Sequence, residues 1–157
     1  MRYFLCAALA LMLLLIHPLG TRADEGDAVI GRWITEKKDS GVEVVPCEGR
    51  YCVKIVWLKE PINEDGTEKT DANNPDGALK NRKIIGLTIA KNFEYAGDNK
   101  WKEGKIYDPD NGKTYSCNMA LEKKDRLKIR GFIGFSLLGR TTYWTRMGNG
   151  ELFDKKQ

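Results

Sequence analysis

Apolar and polar residues alternate with a period of two along much of the chain, which is the pattern of β-strands that bury one face. The alternation is clearest in residues 113–123 and 126–133. Other segments are rich in β-branched and aromatic residues and lie between clusters of Gly, Asn, Asp and Pro, which is also typical of strands. The pattern predicts extended segments at residues 31–36, 41–45, 51–58, 83–89, 92–96, 100–107, 113–123, 126–133 and 141–147.

The connections between these segments favour antiparallel neighbours. Asn111-Gly112 is a strong signal for a tight hairpin, and Lys124-Asp125 joins the next two segments. A sheet of about eight or nine short strands must protect its edges, and closing the sheet on itself is the simplest way to do so. We therefore predict an all-β fold, an antiparallel up-and-down barrel of about eight strands, in preference to an open sandwich.

One long connection, residues 61–82, interrupts the predicted strands. It is rich in Asn, Asp, Gly and Glu, and Asn74-Pro75-Asp76 can start one helical turn. Long ordered loops are commonly lids or binding loops, although the composition suits a flexible excursion equally well. Its candidate functional residues are Asp71, Asn74, Asp76 and Arg82.

The first 23 residues have the pattern of a cleaved signal peptide. Arg2 precedes an apolar run at residues 4–16, which is shorter than the roughly 20 residues that a membrane-spanning helix needs. Small residues at positions 21 and 23 suit cleavage after Ala23. We predict a signal peptide at 1–23, one barrel domain at 24–157, a periplasmic or secreted location, and no stable membrane insertion after cleavage.

The charge and histidine content of the predicted mature chain narrow the function classes. Loss of Arg2 and Arg22 leaves 24 basic against 22 acidic residues, a balance that argues against nucleic-acid binding and against a polybasic membrane role. The single histidine, His17, also leaves with the signal peptide, so no imidazole remains as a general base or zinc ligand. We therefore expect a protein that is not an enzyme, with no catalytic residues, no metal site and no cofactor.

Three cysteines remain in the predicted mature chain. Cys47 and Cys52 flank residues 48–51 between two extended segments, so a hairpin would place them at disulfide distance, and we expect that bond in an oxidising compartment. Cys117 is left without a partner. A reactive thiol is one interpretation, and a small buried apolar side chain is the one that we prefer because no base is available to activate the thiol.

Residues from the two ends of the predicted barrel are candidates for closing it. Gly31 and Trp33 begin the first extended segment, and Arg146 lies in the last. In a closed barrel these segments are neighbours, so the guanidinium can stack across the indole. We predict that Gly31, Trp33 and Arg146 close one end of the barrel.

A barrel of this size is just wide enough either to be filled by its own side chains or to hold one small ligand, and the sequence leaves both possibilities open. If a cavity exists, aromatic side chains would line it and arginines at its mouth would meet an acidic head group. The candidate ligand-binding residues are Trp57, Tyr107, Tyr115, Arg130, Arg140 and Tyr143.

Short motifs follow one another over nearly the whole predicted mature chain. They are Gly31-Arg32-Trp33; Cys47 with Tyr51-Cys52; Asp71 with Asn74-Pro75-Asp76; Leu79 with Arg82; Gly104 with Ile106-Tyr107-Asp108-Pro109; Gly112-Lys113-Thr114-Tyr115; Arg130-Gly131-Phe132-Ile133-Gly134; and Gly139-Arg140-Thr141 with Trp144-Thr145-Arg146. In this order they resemble the bacterial exported domain-of-unknown-function family 2147. The resemblance implies a lipocalin-like β-barrel and an exported protein, and it transfers no activity and no catalytic residues. Val53 departs from the glycine that is usual in the family after the second cysteine.

Carboxylates offer two further interpretations. Asp108 with Asp110, or Asp71 with Asp76, would be the acid and base of an envelope hydrolase, and the first pair has some of the spacing of a calcium loop. Turn formation is the ordinary role of such residues and is the interpretation that we prefer.

The leading hypothesis is a non-catalytic periplasmic or secreted protein that binds a small apolar or amphipathic molecule such as a lipid or fatty acid. One alternative is a cell-envelope interaction module that uses residues 61–82 to hold a protein partner, whose identity the sequence does not indicate. The second alternative is the carboxylate-dependent hydrolase.

Overall fold

Eight antiparallel strands follow one another around a closed barrel in the computed structural model, which describes residues 25–135 and 137–148. The strands are β1 (Gly31–Ile34), β2 (Ser40–Cys47), β3 (Arg50–Leu58), β4 (Thr88–Tyr95), β5 (Lys100–Asp108), β6 (Lys113–Lys123), β7 (Arg126–Phe132) and β8 (Gly139–Arg146). Each strand pairs with the next in the chain, and β8 returns to pair with β1. The predicted up-and-down barrel is therefore confirmed, whereas the predicted signal peptide at 1–23 lies outside the described residues.

Two short 3₁₀ helices accompany the strands, at Asp27–Val29 and Gly77–Leu79. The second is the helical turn expected in the long loop, and the Asp76 carboxylate caps it by accepting a hydrogen bond from the Ala78 backbone N–H at 3.0 Å. None of the helical segments in the described ranges is long and apolar enough to cross a membrane.

The two ends of the barrel differ. The closed end carries the three short turns β2–β3, β4–β5 and β6–β7, together with the first 3₁₀ helix. The open end carries the β1–β2 turn, the long loop 59–87, the β5–β6 turn and the β7–β8 connection. Large side chains, each at most 2 % exposed, fill the interior next to the closed end. They are Trp33, Phe93, Trp101, Met119 and Leu127.

The region before β5 differs from the prediction. The sequence predicts two extended segments, 83–89 and 92–96, whereas the chain forms one strand, Thr88–Tyr95. Ile84 and Leu87 are buried, but they belong to the end of the long loop, where Gly86 adopts a φ of +90° and donates its N–H to the Ile55 carbonyl at 2.7 Å. Their apolar spacing therefore reflects packing of the loop and not a separate strand.

The disulfide between Cys47 and Cys52 is confirmed, with 5.8 Å between the two Cα atoms. Between β2 and β3 only Glu48 and Gly49 form the turn, both with positive φ, as a two-residue type I′ hairpin requires. The turn is thus tighter than the predicted four-residue loop because Arg50 and Tyr51 already belong to β3. The hairpin register has two independent constraints, the turn and the disulfide.

Replacing both disulfide cysteines, Cys47→Ser with Cys52→Ser, is expected to lower the free energy of unfolding by about 2 kcal/mol, because the closed loop is short. The barrel should remain folded, since the turn still sets the register. Chemical denaturation followed by far-ultraviolet circular dichroism would measure the loss, and an unfolded double variant would contradict this expectation.

Candidate functional site: a cavity at the open end of the barrel

A cavity lies inside the barrel between the packed side chains of the closed end and the open end. The cavity has a volume of about 1170 Å³, somewhat above the range of roughly 300–1,000 Å³ that is usual for small-molecule sites. Alternate residues of several strands direct apolar side chains into it, namely Val42, Ile55, Ile89, Ile106, Ile129 and Trp144. The sequence left open whether side chains fill the barrel or surround a cavity, and the structure shows a cavity with an apolar wall.

The mouth of the cavity is polar and carries charges of both signs. Its basic side chains are Lys37, Lys59, Lys69 and Arg140, and its acidic side chains are Glu36, Asp39, Glu60, Asp108 and Asp110. These residues come from the β1–β2 turn, the long loop, the β5–β6 turn and the adjoining ends of β5 and β8. The arrangement suits a ligand with an apolar body inside the barrel and a polar head at the opening.

Three of the six predicted ligand-binding residues, Tyr107, Tyr115 and Arg140, lie in the cavity lining. Trp57 does not, because the β2–β3 pairing skips Val56 and so reverses the alternation of side chains at this end of β3. Leu58 lies in the lining in its place.

Arg130 and Tyr143 also lie outside the described lining of the cavity. Arg130 donates hydrogen bonds to the Thr141 hydroxyl at 3.0 Å and to the Leu137 carbonyl at 3.2 Å, which supports the β7–β8 connection. Tyr143 alternates with the cavity residues of β8, and the guanidinium carbon of Arg126 lies 4.1 Å from its ring centroid. Both residues therefore lie on the outer wall of the barrel.

A buried carboxylate, Asp71, fixes the long loop to the barrel. It is 0 % exposed, and four donors surround it: the Tyr107 hydroxyl at 2.5 Å, the Asn74 amide at 2.7 Å, and Arg82 through Nε at 2.8 Å and Nη2 at 2.7 Å. The sequence prediction names three of these loop residues, whereas the partnership with Tyr107 on β5 could not be inferred from spacing. We refer to Asp71, Asn74, Arg82 and Tyr107 as the loop anchor.

Hydrogen bonding determines the ionisation of the loop anchor. Burial alone would raise the pKa of Asp71, but the hydrogen bonds from Tyr107, Asn74 and Arg82, with the charge of Arg82, outweigh burial and hold this pKa below its usual value. Burial and the hydrogen bond to Asp71 raise the pKa of Tyr107. At neutral pH the anchor is thus an ionised carboxylate held by neutral and cationic donors.

A second contact holds the long loop against the β5–β6 turn at the mouth. The Asn73 amide donates to the backbone carbonyls of Pro109 and Asp110 at 3.2 and 3.0 Å. Gly112 is required beside it, because its φ is +69° and a Cβ there would lie 2.0 Å from the Asn73 carbonyl oxygen. The long loop is therefore part of the wall around the mouth, which it lines through Asn63, Lys69, Thr70 and Asn73.

The carboxylates considered for catalysis or calcium have structural partners. Asp108 accepts hydrogen bonds from the Asp110 N–H at 3.0 Å and from the Asn111 amide at 2.8 Å, and Asp71 and Asp76 hold the long loop as described above. In the ranges 25–135 and 137–148, no three His, Cys, Asp or Glu side chains are grouped as metal ligands would be. The preferred interpretation of Asp108 as a turn residue thus agrees with its contacts.

The closed end contains the stacked pair expected from the sequence. Trp33 and Arg146 are partners in the β1–β8 register, and the guanidinium carbon lies 4.2 Å from the indole centroid. Arg146 also donates to the carbonyls of Ala28, Ile30 and Lys124 at 2.6–2.8 Å. Gly31, at a φ of +127°, passes close to this guanidinium, since a Cβ would lie 3.1 Å from Arg146 Nη1.

Cys117 is the free cysteine of the described residues and is buried. Burial raises the pKa of its thiol to about 12, so almost no thiolate exists at neutral pH. These properties agree with the interpretation of Cys117 as a small apolar side chain.

One surface feature has no counterpart in the sequence prediction. The β7–β8 connection exposes four large apolar side chains, Ile133, Phe135, Leu137 and Leu138, which we call the apolar tip. The signal for it was present, because residues 131–139 contain no charge and the connection between two paired strands is too short to bury its own side chains.

The fold is similar to that of protein HP1028 from the human pathogen Helicobacter pylori, which is described as belonging to the lipocalin family; the TM-score is 0.68, 24 % of the residues are identical, and the match covers 77 % of this chain and 84 % of that chain. At this identity the likeness concerns the fold. No curated protein matches the chain. The model of the family described as "uncharacterized protein conserved in bacteria (DUF2147)" matches residues 31–146, and the chain therefore belongs to that family.

Proposed function

We propose that this protein is a non-catalytic binding protein that holds one small amphipathic molecule in its barrel. The observation that carries the proposal is the cavity of about 1170 Å³, whose wall is apolar and whose mouth is charged. An apolar body would enter the barrel and leave its head group among the side chains of the open end. Burial of the apolar part supplies the binding energy, at roughly 25 cal/mol per Å² removed from water.

The apolar wall of the cavity favours a molecule with a hydrocarbon portion. The wall residues Ile55, Ile106 and Ile129 come from three different strands, so apolar contact is available on several sides of the ligand. Arg140 and Tyr115 lie in the same lining and supply hydrogen-bond donors for a carboxylate or phosphate head, whereas the Tyr107 hydroxyl donates to Asp71. A fatty acid or a lysolipid has this combination of parts.

We infer that the protein acts outside the cytoplasm. The signal-peptide pattern of residues 1–23 supports export, and the Cys47–Cys52 disulfide is consistent with an oxidising compartment.

A large side chain inside the barrel is expected to weaken ligand binding without unfolding the barrel. Ile106→Trp places an indole in the cavity, and the affinity for a dansyl-labelled undecanoic acid should fall by about tenfold or more, because the indole narrows the space for the hydrocarbon chain. Fluorescence titration would measure this affinity. Lys105→Trp is the matched control, since Lys105 is exposed on the next position of β5 and does not line the cavity.

Two results would overturn the proposal. One is equal binding of the probe by the wild-type protein and Ile106→Trp, which would place the binding site outside the barrel. The other is the absence of any probe binding together with no lipid recovered from the native protein by extraction and mass spectrometry.

A further inference from the structure

The apolar tip projects into solvent at the open end of the barrel. Phe135 is 81 % exposed and Leu137 is 89 % exposed, while Ile133 and Leu138 are 69 % and 74 % exposed. Four such residues within one short connection are clustered and not scattered singly, and clustered exposed apolar residues usually mark an interaction site.

The backbone of the connection holds this display in place. The Leu138 N–H donates to the Phe135 carbonyl at 3.0 Å, and Gly134 adopts a φ of +68° that permits the tight bend. Arg130 reaches from β7 and donates to the Leu137 carbonyl at 3.2 Å. With these backbone groups bonded, the connection presents Phe135 and Leu137 to solvent, and neither residue lines the cavity.

The apolar tip is continuous with the cavity mouth. Ile133 and Leu138 lie in the cavity lining as well as on the exposed surface. An apolar path therefore leads from the tip across the rim towards the wall residue Ile129, which precedes the connection on β7. Whatever covers the tip also faces the opening of the cavity.

Charge at the base of the tip favours one kind of partner. No charged residue occurs between Arg130 and Arg140, and these two arginines are the first charges on either side of the connection in sequence. The acidic side chains at the cavity mouth come from the other connections of the open end and from the end of β5. An exposed apolar tip with cations at its base matches a phospholipid bilayer, where acyl chains lie beneath a layer of phosphates. A protein partner would instead need a recess that fits this projection.

We propose that the apolar tip docks this protein on the surface of a phospholipid bilayer, with the β7–β8 side of the cavity rim nearest the lipids. Phe135 and Leu137 enter the boundary between head groups and acyl chains, and Arg130 and Arg140 lie at the level of the phosphates. The barrel itself remains in water. The docking concerns the tip alone, so it does not depend on ligand binding by the cavity.

Vesicle sedimentation tests the docking. Protein recovered from the exported fraction of an expressing host, with its processing checked by intact mass, is mixed with vesicles of phosphatidylethanolamine and phosphatidylglycerol. Phe135→Ser with Leu137→Ser should lower the partition coefficient by about tenfold or more, because most of the inserted apolar surface is lost. Both residues are more than 80 % exposed, so the fold is not affected. Ile62→Ser is the control, since Ile62 is 48 % exposed but belongs to the long loop.

A site-specific fluorophore tests the orientation. Leu137→Cys gives a single accessible thiol for an environment-sensitive nitrobenzoxadiazole label, because Cys117 is buried and Cys47 is bonded to Cys52. Its emission should shift to the blue when vesicles are added. The same label at Lys124→Cys, in the turn at the closed end, should not respond.

The outcomes separate bilayer docking from other uses of the tip. Unchanged sedimentation of the Phe135→Ser, Leu137→Ser variant, or an equal response of the two labels, would overturn the proposal. A blue shift at position 137 that grows with protein concentration in the absence of vesicles would assign the tip to a second copy of the chain instead. The affinity of Ile106→Trp for the fatty-acid probe does not affect vesicle sedimentation or the emission of the two labels, so the two proposals fail separately.

Discussion

Arg146→Ala is expected to lower the free energy of unfolding by about 3 kcal/mol and the melting temperature by roughly 10 °C. The guanidinium donates to three backbone carbonyls, those of Ala28, Ile30 and Lys124, and stacks on Trp33 at 4.2 Å. Hydrogen bonds from a charged group contribute about 1.5–3 kcal/mol each, with losses that are not additive. Arg146 connects β8 to the 3₁₀ helix and to β1, so its removal loosens the closed end.

Arg126→Ala is the matched control for this experiment. Arg126 stacks on Tyr143 at 4.1 Å, almost the distance of the Arg146–Trp33 pair. The side chain is 47 % exposed, and its ionic partner Glu122 lies at the surface. Exposed stacking and surface ion pairs each contribute about 1 kcal/mol or less, so this variant should lose about 1 kcal/mol. Thermal melts and urea titrations of both variants give the comparison.

Equal losses in the two arginine variants would show that stacking distance, and not the bonds to the carbonyls, determines the contribution of Arg146. Arg146→Lys refines the test, because an ammonium retains the charge but cannot reach three separate carbonyls with a planar fork of donors. Its stability should lie between that of the wild-type protein and that of Arg146→Ala.

The contact at the closed end could be predicted from the sequence because it follows from the strand topology. Once the strands are known to close, the first and last strands must pair, and Trp33 and Arg146 are then brought together whatever the details of the other strands. Strand β6 has the predicted bounds for a similar reason, since one face looks into the barrel and the other into solvent, which produces clear alternation.

The lining of the cavity could be predicted only in part from the sequence. Tyr107, Tyr115 and Arg140 lie in the lining, but a single skipped residue in the β2–β3 ladder moves Trp57 out of it. A bulge leaves no reliable mark in a strand sequence, yet it exchanges the faces of all the residues beyond it. Whether the interior is filled also depends on the summed packing of eight strands and not on any one of them.

The loop anchor could not be predicted from the sequence for another reason. Asp71, Asn74 and Arg82 lie close together in the sequence, but Tyr107 is 36 residues from Asp71 and belongs to a strand. Polar residues in a loop usually indicate turns, so nothing local distinguishes the one carboxylate that becomes fully buried. The distinction arises only when the loop packs against β5.

Asp71→Asn is expected to lower the free energy of unfolding at pH 7 by about 2–3 kcal/mol. The amide has nearly the shape of the carboxylate but provides one acceptor oxygen where four hydrogen bonds now end. Its NH₂ group would face donors from Arg82 or Tyr107. Because Arg82 is 36 % exposed, water compensates part of the loss, and the estimate is below that for a fully buried pair.

The contribution of Asp71 should depend on pH in one direction. Its pKa is lowered in the folded protein, so its stabilisation is fully present above the unfolded value of about 4. Stabilisation is lost as the pH falls from that value through the lower folded pKa. Titration of Asp71 should therefore leave the stability difference between the wild-type protein and Asp71→Asn constant from pH 5 to 8. The difference should shrink below about pH 4.

Glu68→Gln separates the buried anchor from an ordinary ion pair in the same loop. Glu68 and Lys83 approach to 2.6 Å, as closely as Asp71 and Arg82, but their side chains are 57 % and 64 % exposed. An exposed pair contributes about 1 kcal/mol or less, so Glu68→Gln should be nearly neutral in urea titrations at pH 7. Equal losses in the two variants, or a difference between wild-type protein and Asp71→Asn that grows at low pH, would contradict the anchoring role of Asp71. If the anchor holds, the burial of one carboxylate against β5 keeps the long loop at the cavity mouth, and amide exchange in residues 61–82 should accelerate in Asp71→Asn and not in Glu68→Gln.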